Sequence, residues 1–390
     1  VCGGNTPDAV LRLVSKLHSK GREMVPHARE HKDLIDLVYQ FDLEPDESWG
    51  ASGFDVEYIV EHSLAAMDLA AKTKPAGGID FADMIYLPVR NRWLTPIYDM
   101  FVVDEMQDMN AAQLEIARGV CRGRFVGVGD DRQAIYAFRG ADSESMHRIK
   151  DELHAKELKL TTTYRCGQRI VHEANQFVPD FVAAEANPLG NICTLMPEKL
   201  VSEATIGDFI LSRLNAPLVG VAMSLLRANK RARIAGRDIG SGLKSLIRRL
   251  SKGKAANSIP EFMSRLANWE EREVLRWTNA NKPEKVEQVR DQAGMLAELA
   301  AEATSVRDIE TKIDALFTDD GLGTKGVITC SSVHRSKGLE ADRVFVLRET
   351  LRDGNREEEN IQYVAITRAI NTLVWVGNKK KASVPGEGTF

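Results

Sequence analysis

The sequence predicts an α/β protein of two or more domains, in which strands with polar tips alternate with helices and a helical block interrupts the second alternating region. Three observations carry this. Two apolar runs, residues 100–103 and 124–128, end abruptly in Asp104-Glu105 and in Gly129-Asp130-Asp131, and both read as buried strands. Further short apolar runs alternate with helical periodicity on either side of a long, charged, strand-poor stretch. At 390 residues, the chain is also too long for one ordinary core.

From residue 5 to 71 the periodicity is helical: Ala9, Leu13 and Leu17, then Leu34, Leu37, Val38 and Phe41, then Tyr58, Ile59, His62, Ala65, Ala66 and Leu69 recur at three- and four-residue steps. Breaks fall near Pro26 and across 42–53, and His62 reads as a packed or surface histidine rather than a ligand. Residues 74–78 form a turn cluster, after which strands and helices alternate to about 157. A strand is expected at 158–160, a loop at 161–165 and a helix from 167 to 178, with further alternation at 209–214, 217–226 and 233–235. Residues 237–324 read as helical segments (243–250, 259–277, 285–303, 309–317) with hardly any strand signal. Strands resume at 326–330, 343–347 and 372–376, and the end from 378 reads as a solvated tail.

Composition narrows the class without choosing a ligand. Hydrophobic residues at 43% and charged residues at 28% are ordinary for a globular protein. A net charge of -4 gives no global nucleic-acid signature, so any such site must be a local basic surface. Cys2, Cys121, Cys166, Cys193 and Cys330 are scattered without a CxxC pair, which argues against a zinc site and a disulfide framework and for a reducing compartment. No apolar run approaches the ~18 residues of a membrane span, so no membrane partner is expected.

In an open α/β sheet, ligands bind outside the carboxyl ends of the strands, so the acidic tips at 104–105 and 130–131 point into one crevice suited to a metal–nucleotide complex. Adjacent Asp104 and Glu105 diverge by backbone direction. One can hold Mg²⁺ while the other reaches the water that attacks phosphorus. An acidic pair alone often does no more than end a strand in solvent, but Gln133 shares this crevice and Arg139 follows it.

These residues match a family. Residues 104–108 (DEMQD) and 129–141 (GDDRQAIYAFRGA) resemble motifs II and III of the UvrD/Rep-type superfamily 1 DNA helicases. Residues 163–166 (TYRC) resemble motif IV, Thr329 with 334–340 (HRSKGLE) motif V, and 362–369 (QYVAITRA) motif VI; a weaker match, 210–215 (ILSRLN), lies between. The resemblance implies two RecA-like domains of the P-loop NTPase type, the first incomplete, with 1B-like and 2B-like helical insertions. The implied division is a 1B-like region at 1–76, a partial domain 1A at 77–157, domain 2A from 158–236 with 325–378, a 2B-like insertion at 237–324 and a tail at 379–390.

By the same resemblance, ATP and Mg²⁺ are the cofactors. Asp104 holds Mg²⁺, Glu105 orients or deprotonates the hydrolytic water and Gln133 senses the γ-phosphate. Arg165 and Arg368 act on that phosphate from the second domain, Tyr164 stacks on adenine and Glu340 bonds the ribose. Tyr136 and Phe138 form a base-stacking platform, and His334 and Lys337 contact the strand. Single-stranded DNA and duplex junctions are the implied partners, the cytoplasm of a bacterial or phage-infected cell the implied location, and 3′ to 5′ translocation the implied activity.

Two departures matter. No GxxxxGK[ST] loop occurs in the sequence, so the chain is read as truncated at its start and the 390 residues are expected to hydrolyse ATP no more than at trace level. Residues 357–361 (EEENI) stand where the family usually has a Glu-Glu-Arg-Arg-Leu run, and are read as a solvated charge run opening a helix. Two functional readings remain: an ATP-driven DNA helicase and single-stranded DNA translocase, or a non-catalytic DNA- or partner-binding remnant of one.

Overall fold

A computed structural model describes residues 2, 6–41, 43, 54–72, 79–133, 145–251, 258–279, 282–318 and 326–377. The chain divides into two compact units, Val1–Lys156 and Glu157–Phe390.

In the first unit, α1 (Asp8–Met24), α2 (His31–Phe41) and α3 (Val56–Lys72) close one apolar core, with Leu17, Leu34, Val38, Ile59 and Met67 at its centre. Helix α4 (Phe81–Arg90) starts on a reciprocal cap between Asp80 and Asp83, and Arg22 of α1 bonds both carboxylates, at 3.0 and 2.6 Å. Strand β1 (Tyr98–Val103), helix α5 (Ala111–Val120) and strand β2 (Cys121–Gly127) then make a right-sized crossover between two parallel strands, followed by α6 (Ser145–Glu152).

The strands are not buried on both sides, contrary to the sequence reading. Phe101, Val103 and Phe125 pack with Leu114 and Ala117 of α5, whereas Tyr98, Met100 and Val102 on the opposite face are about half exposed. Apolar runs look alike whether one face or two are covered, and here α5 covers one.

The second unit opens with a small parallel pair, β3 (Thr162–Thr163) and β4 (Val182–Ala183), around α7 (Gln168–Ala174). The strand expected at 158–160 does not form; Leu158 and Leu160 are exposed, and pairing starts two residues later. Next come β5 (Asn191–Leu195), α8 (Leu200–Glu203), β6 (Phe209–Ser212), α9 (Ala216–Arg227) and β7 (Ala232–Ala235). Four helices follow: α10 (Arg237–Leu250), α11 (Ile259–Asn279), α12 (Pro283–Ala301) and α13 (Val306–Leu316). The unit ends with β8 (Phe317–Thr318), β9 (Ile328–Ser332), α14 (Val333–Ser336), β10 (Ala341–Leu347), α15 (Arg356–Thr367) and β11 (Ala369–Val376).

These strands form a seven-stranded sheet in the order β5-β11-β10-β6-β9-β7-β8, parallel at every pairing. Central β6 is buried at all four positions, as expected of a strand covered on both faces. The helical block makes no core of its own: Leu243, Phe262, Leu296 and Ile309 share one cluster with Ile210, Ile234, Cys330 and Phe345 of the sheet. Phe317, expected to end a helix, instead opens β8 and extends the sheet edge against β7.

Candidate functional site

The first unit's candidate site is built where β1 and β2 end. Parallel pairing continues past both strands, since the Val128 N–H donates to the Val103 carbonyl at 2.8 Å and the Met106 N–H to the Val128 carbonyl at 2.9 Å. Glu105 takes a left-handed backbone conformation (φ 51°, ψ 41°), uncommon outside glycine, and Asp104 Oδ1 accepts the Glu105 N–H at 2.9 Å within that turn. Both carboxylate-bearing residues stay exposed while Met106 and Gln107 are tucked inside.

Gln107 is 1% exposed. Its Nε2 donates to Glu105 Oε2 at 2.6 Å, and its Oε1 accepts the Asp130 N–H at 3.1 Å. The Asp130 carboxylate in turn accepts from the Arg132 N–H and from Gln133 Nε2, each at 2.9 Å. Close approach of the two tips requires glycine: a Cβ on Gly127 would lie 2.0 Å from Met106 Sδ, and one on Gly129 2.5 Å from Gln107 Oε1. Asp104, Glu105 and Gln133 are thus held on adjoining tips. Tyr136 and Phe138, with Arg139, lie outside the described residues.

The donor set suits Mg²⁺ carried with a phosphate. Among the described residues no group of three His, Cys, Asp or Glu side chains could hold a metal by itself. Mg²⁺ normally takes one or two carboxylates and fills its remaining positions with water and phosphate oxygens, which matches what Asp104 and Glu105 offer.

The second unit gathers four other residues singled out in the sequence. Asn187, 8% exposed, donates from Nδ2 to the Thr163 and Cys166 carbonyls at 2.9 and 2.8 Å, and the turn so held leaves Tyr164 82% exposed. Arg165 pairs with Glu340. Arg368, at the end of α15, is 1% exposed and spends its donors on the Val364 carbonyl (3.1 Å), the Leu339 carbonyl (3.0 Å) and Thr367 Oγ1 (3.2 Å). Burial first, and the nearby Arg165 charge second, bring its pKa down to about 10. Burial likewise pushes the neighbouring Cys166 thiol up to about 11, so it is no thiolate nucleophile at neutral pH. His334 lies on α14 and Lys337 just after it, on the segment that reaches Glu340 through Gly338 at φ +79°.

Three supporting residues were given no role in the sequence reading, although Gln107 and Arg213 lie in the stretches 104–108 and 210–215 quoted there. Gln107 and Asn187 are buried polar side chains that hold turns. Arg213 follows β6, with Nε 2.8 Å from both carboxylate oxygens of Glu358, Nη2 2.6 Å from one of them and Nη1 2.9 Å from Glu287 of α12. Glu358 is therefore no member of a solvated charge run: it is 8% exposed and faces inward from α15 because a guanidinium waits there. An Arg directly after the run Phe209-Ile210-Leu211-Ser212 was the available signal.

The fold is mixed α/β with parallel sheets and acidic residues at strand tips, an arrangement consistent with RecA-like domains. Comparison with known proteins finds similarity in two stretches of the chain. A model described as the UvrD/REP helicase N-terminal domain matches residues 16–154, and one described as the UvrD-like helicase C-terminal domain matches residues 327–376. The chain is 38% identical over 159 residues to the ATP-dependent DNA helicase Rep of Escherichia coli (strain K12), covering 37% of this chain and 23% of that protein. It is 36% identical over 138 residues to the Rep protein of Salmonella typhimurium, covering 32% and 20% respectively. DNA helicase II of Haemophilus influenzae is 30% identical over 114 residues, 26% of this chain and 16% of that protein. The matches thus span less than a quarter of each of these relatives. Both matched models are of the UvrD/Rep type, the family that the motifs resemble.

Proposed function

We propose that this chain belongs to an ATP-dependent DNA helicase that translocates 3′ to 5′ on single-stranded DNA. The observation that carries the reading is the joined pair of strand tips, where Glu105 and Gln133 are linked through Gln107 and Asp130 next to Asp104. Asp104 would hold Mg²⁺ and Glu105 would orient the attacking water, with Gln133 placed to report the state of the γ-phosphate. ATP with Mg²⁺ supplies the phosphoryl group and the charge that offsets its oxygens. Tyr164 is assigned to adenine, Glu340 to the ribose, and Arg165 and Arg368 to the phosphates. Tyr136, Phe138, His334 and Lys337 are assigned to single-stranded DNA. Three of the five Arg368 N–H donors are used internally and the side chain is 1% exposed, so its assignment entails a local opening at the end of α15 that uncovers the remaining donors.

A second reading has its own support. The 390 residues contain no GxxxxGK[ST] loop, whose amides and lysine cradle phosphates, which favours DNA or partner binding without turnover. The test is ATP turnover with and without a single-stranded oligonucleotide, in the protein and in Glu105→Gln, together with a search of the coding sequence before Val1 for a GK[ST] loop. DNA-stimulated turnover that Glu105→Gln abolishes while nucleotide binding persists supports the helicase. Oligonucleotide binding without turnover, and no such loop upstream, would move the assignment to the second reading.

A further inference from the structure

The four-residue chain Glu105, Gln107, Asp130 and Gln133 has properties that separate bonds would lack. A glutamine amide carries one acceptor end and one donor end, and at Gln107 the neighbours dictate which is which. Glu105 presents a carboxylate, which accepts, and Asp130 presents a backbone N–H, which donates. Flipping the amide would set oxygen against carboxylate and NH₂ against N–H. At 1% exposure the amide is shielded from water, so breaking either bond costs more than it would at the surface. Gly129 leaves room for the amide, since a Cβ there would lie 2.5 Å from Oε1. The backbone of Asp130 is thereby held from Gln107, and its carboxylate holds Gln133 at 2.9 Å.

We propose that Gln107 is a positioning residue that couples the Glu105 carboxylate to Gln133 through Asp130, making the water-orienting group and the phosphate sensor one hydrogen-bonded unit. This rests on the reading of Glu105 and Gln133 given above. Any event that moves the Glu105 carboxylate, such as engaging a water, changes what Gln107 Nε2 donates to. The amide then shifts, and the Asp130 N–H bond and the Gln133 side chain shift with it. Signal transfer needs no movement of the strands.

The test is a double-mutant cycle read at Asp130 in the full chain, by amide hydrogen exchange resolved by NMR in deuterated protein. Glu105→Ala, at an exposed position, should raise exchange at the Asp130 amide by roughly two- to tenfold, the range expected when a typical hydrogen bond loses its support. In a Gln107→Ala background the same Glu105→Ala change should have no further effect. Gln107→Glu should split the pair: its carboxylate still accepts from the Asp130 N–H and preserves protection there, but it can no longer donate to Glu105, so Glu105→Ala should have no further effect at Asp130 in this background either. Unchanged Asp130 exchange in Glu105→Ala would overturn the coupling, and so would equal effects of that variant in both backgrounds. Because Glu105→Ala leaves the core intact, the result does not depend on Gln107→Ala folding. The cycle also reads no turnover: coupling without hydrolysis would leave the bridge standing and sink the enzymatic reading, and the reverse result would do the opposite.

Discussion

Replacing Arg213 by alanine should cost the second unit about 3 kcal/mol, at the lower end of the ~3–5 kcal/mol typical when one member of a buried ion pair is removed. The magnitude follows from what remains. The Arg213, Glu358 and Glu287 side chains are 14%, 11% and 17% exposed, so deletion leaves Glu358 with its inward carboxylate desolvated and its guanidinium partner gone. Glu287 keeps Arg352 and suffers less. Burial alone would lower the Arg213 pKa, but the Glu358 bonds and then the charges of Glu358 and Glu287 raise it above normal, so the cation is net stabilised where it sits. Residual solvent contact keeps the loss at the low end.

The assay is urea unfolding followed by tryptophan fluorescence with Trp49 and Trp93 replaced by Phe, which leaves Trp269, Trp277 and Trp375, all in the second unit. Arg213→Lys should fall between, because it keeps the charge but not the fork that grips both Glu358 oxygens. Arg213→Met combined with Glu358→Leu should recover much of the loss, as no orphaned carboxylate is left at that position. A loss below about 0.5 kcal/mol in Arg213→Ala would place the pair among ordinary surface bridges and refute the reasoning.

The first unit should be acid-sensitive through His18, whose pKa is brought down to about 4 by burial first and the Arg22 charge second, against the opposing pull of Asp83 and Asp80. A histidine depressed in the folded state binds fewer protons there than when unfolded, so stability falls as pH drops from 6.5 towards 4. The expected loss is about 1–2 kcal/mol at pH 5 once screening at its exposed edge is allowed for. A ring titration near 6.5 by NMR would refute this, and His18→Gln should flatten the pH dependence. Oligonucleotide binding should prefer single strands, vary little with base sequence and weaken steeply with salt. Equal binding of duplex at every salt concentration would remove the stacking role assigned to Tyr136 and Phe138.

Legibility followed how local the determining interactions are. Helices α1 to α3 and α9 were readable because their apolar spacing repeats within one element. Strands β1, β2, β6, β10 and β11 were readable as apolar runs with polar ends. What the runs could not convey was coverage: residues 100 and 102 are as apolar as 209–211, yet one pair is half exposed and the other set is sealed. That difference depends on which helices lie over each sheet. The same limit explains β8, where two residues become a strand only because β7 offers an edge 83 positions earlier, Ile234 against Phe317.

The candidate site divides the same way. Chemistry-bearing residues in compact motifs, Asp104 with Glu105 and Tyr164 with Arg165, announce themselves because their neighbours in sequence are also their neighbours in the fold. Supporting residues act across distance. Arg213 meets Glu358 over 145 positions, and Asn187 meets the turn at 163–166 over more than 20, so neither leaves a local pattern. Arg368 is the instructive case, since its motif was legible and its environment was not. Three neutral oxygens hold a cation whose burial has already lowered its pKa to about 10. Such a group gains more from an anion than a solvated arginine does, because part of its desolvation cost has been met before the anion arrives. If Arg368 serves a phosphate, its burial is a form of preorganisation, and the end of α15 is where nucleotide should alter the second unit's structure most.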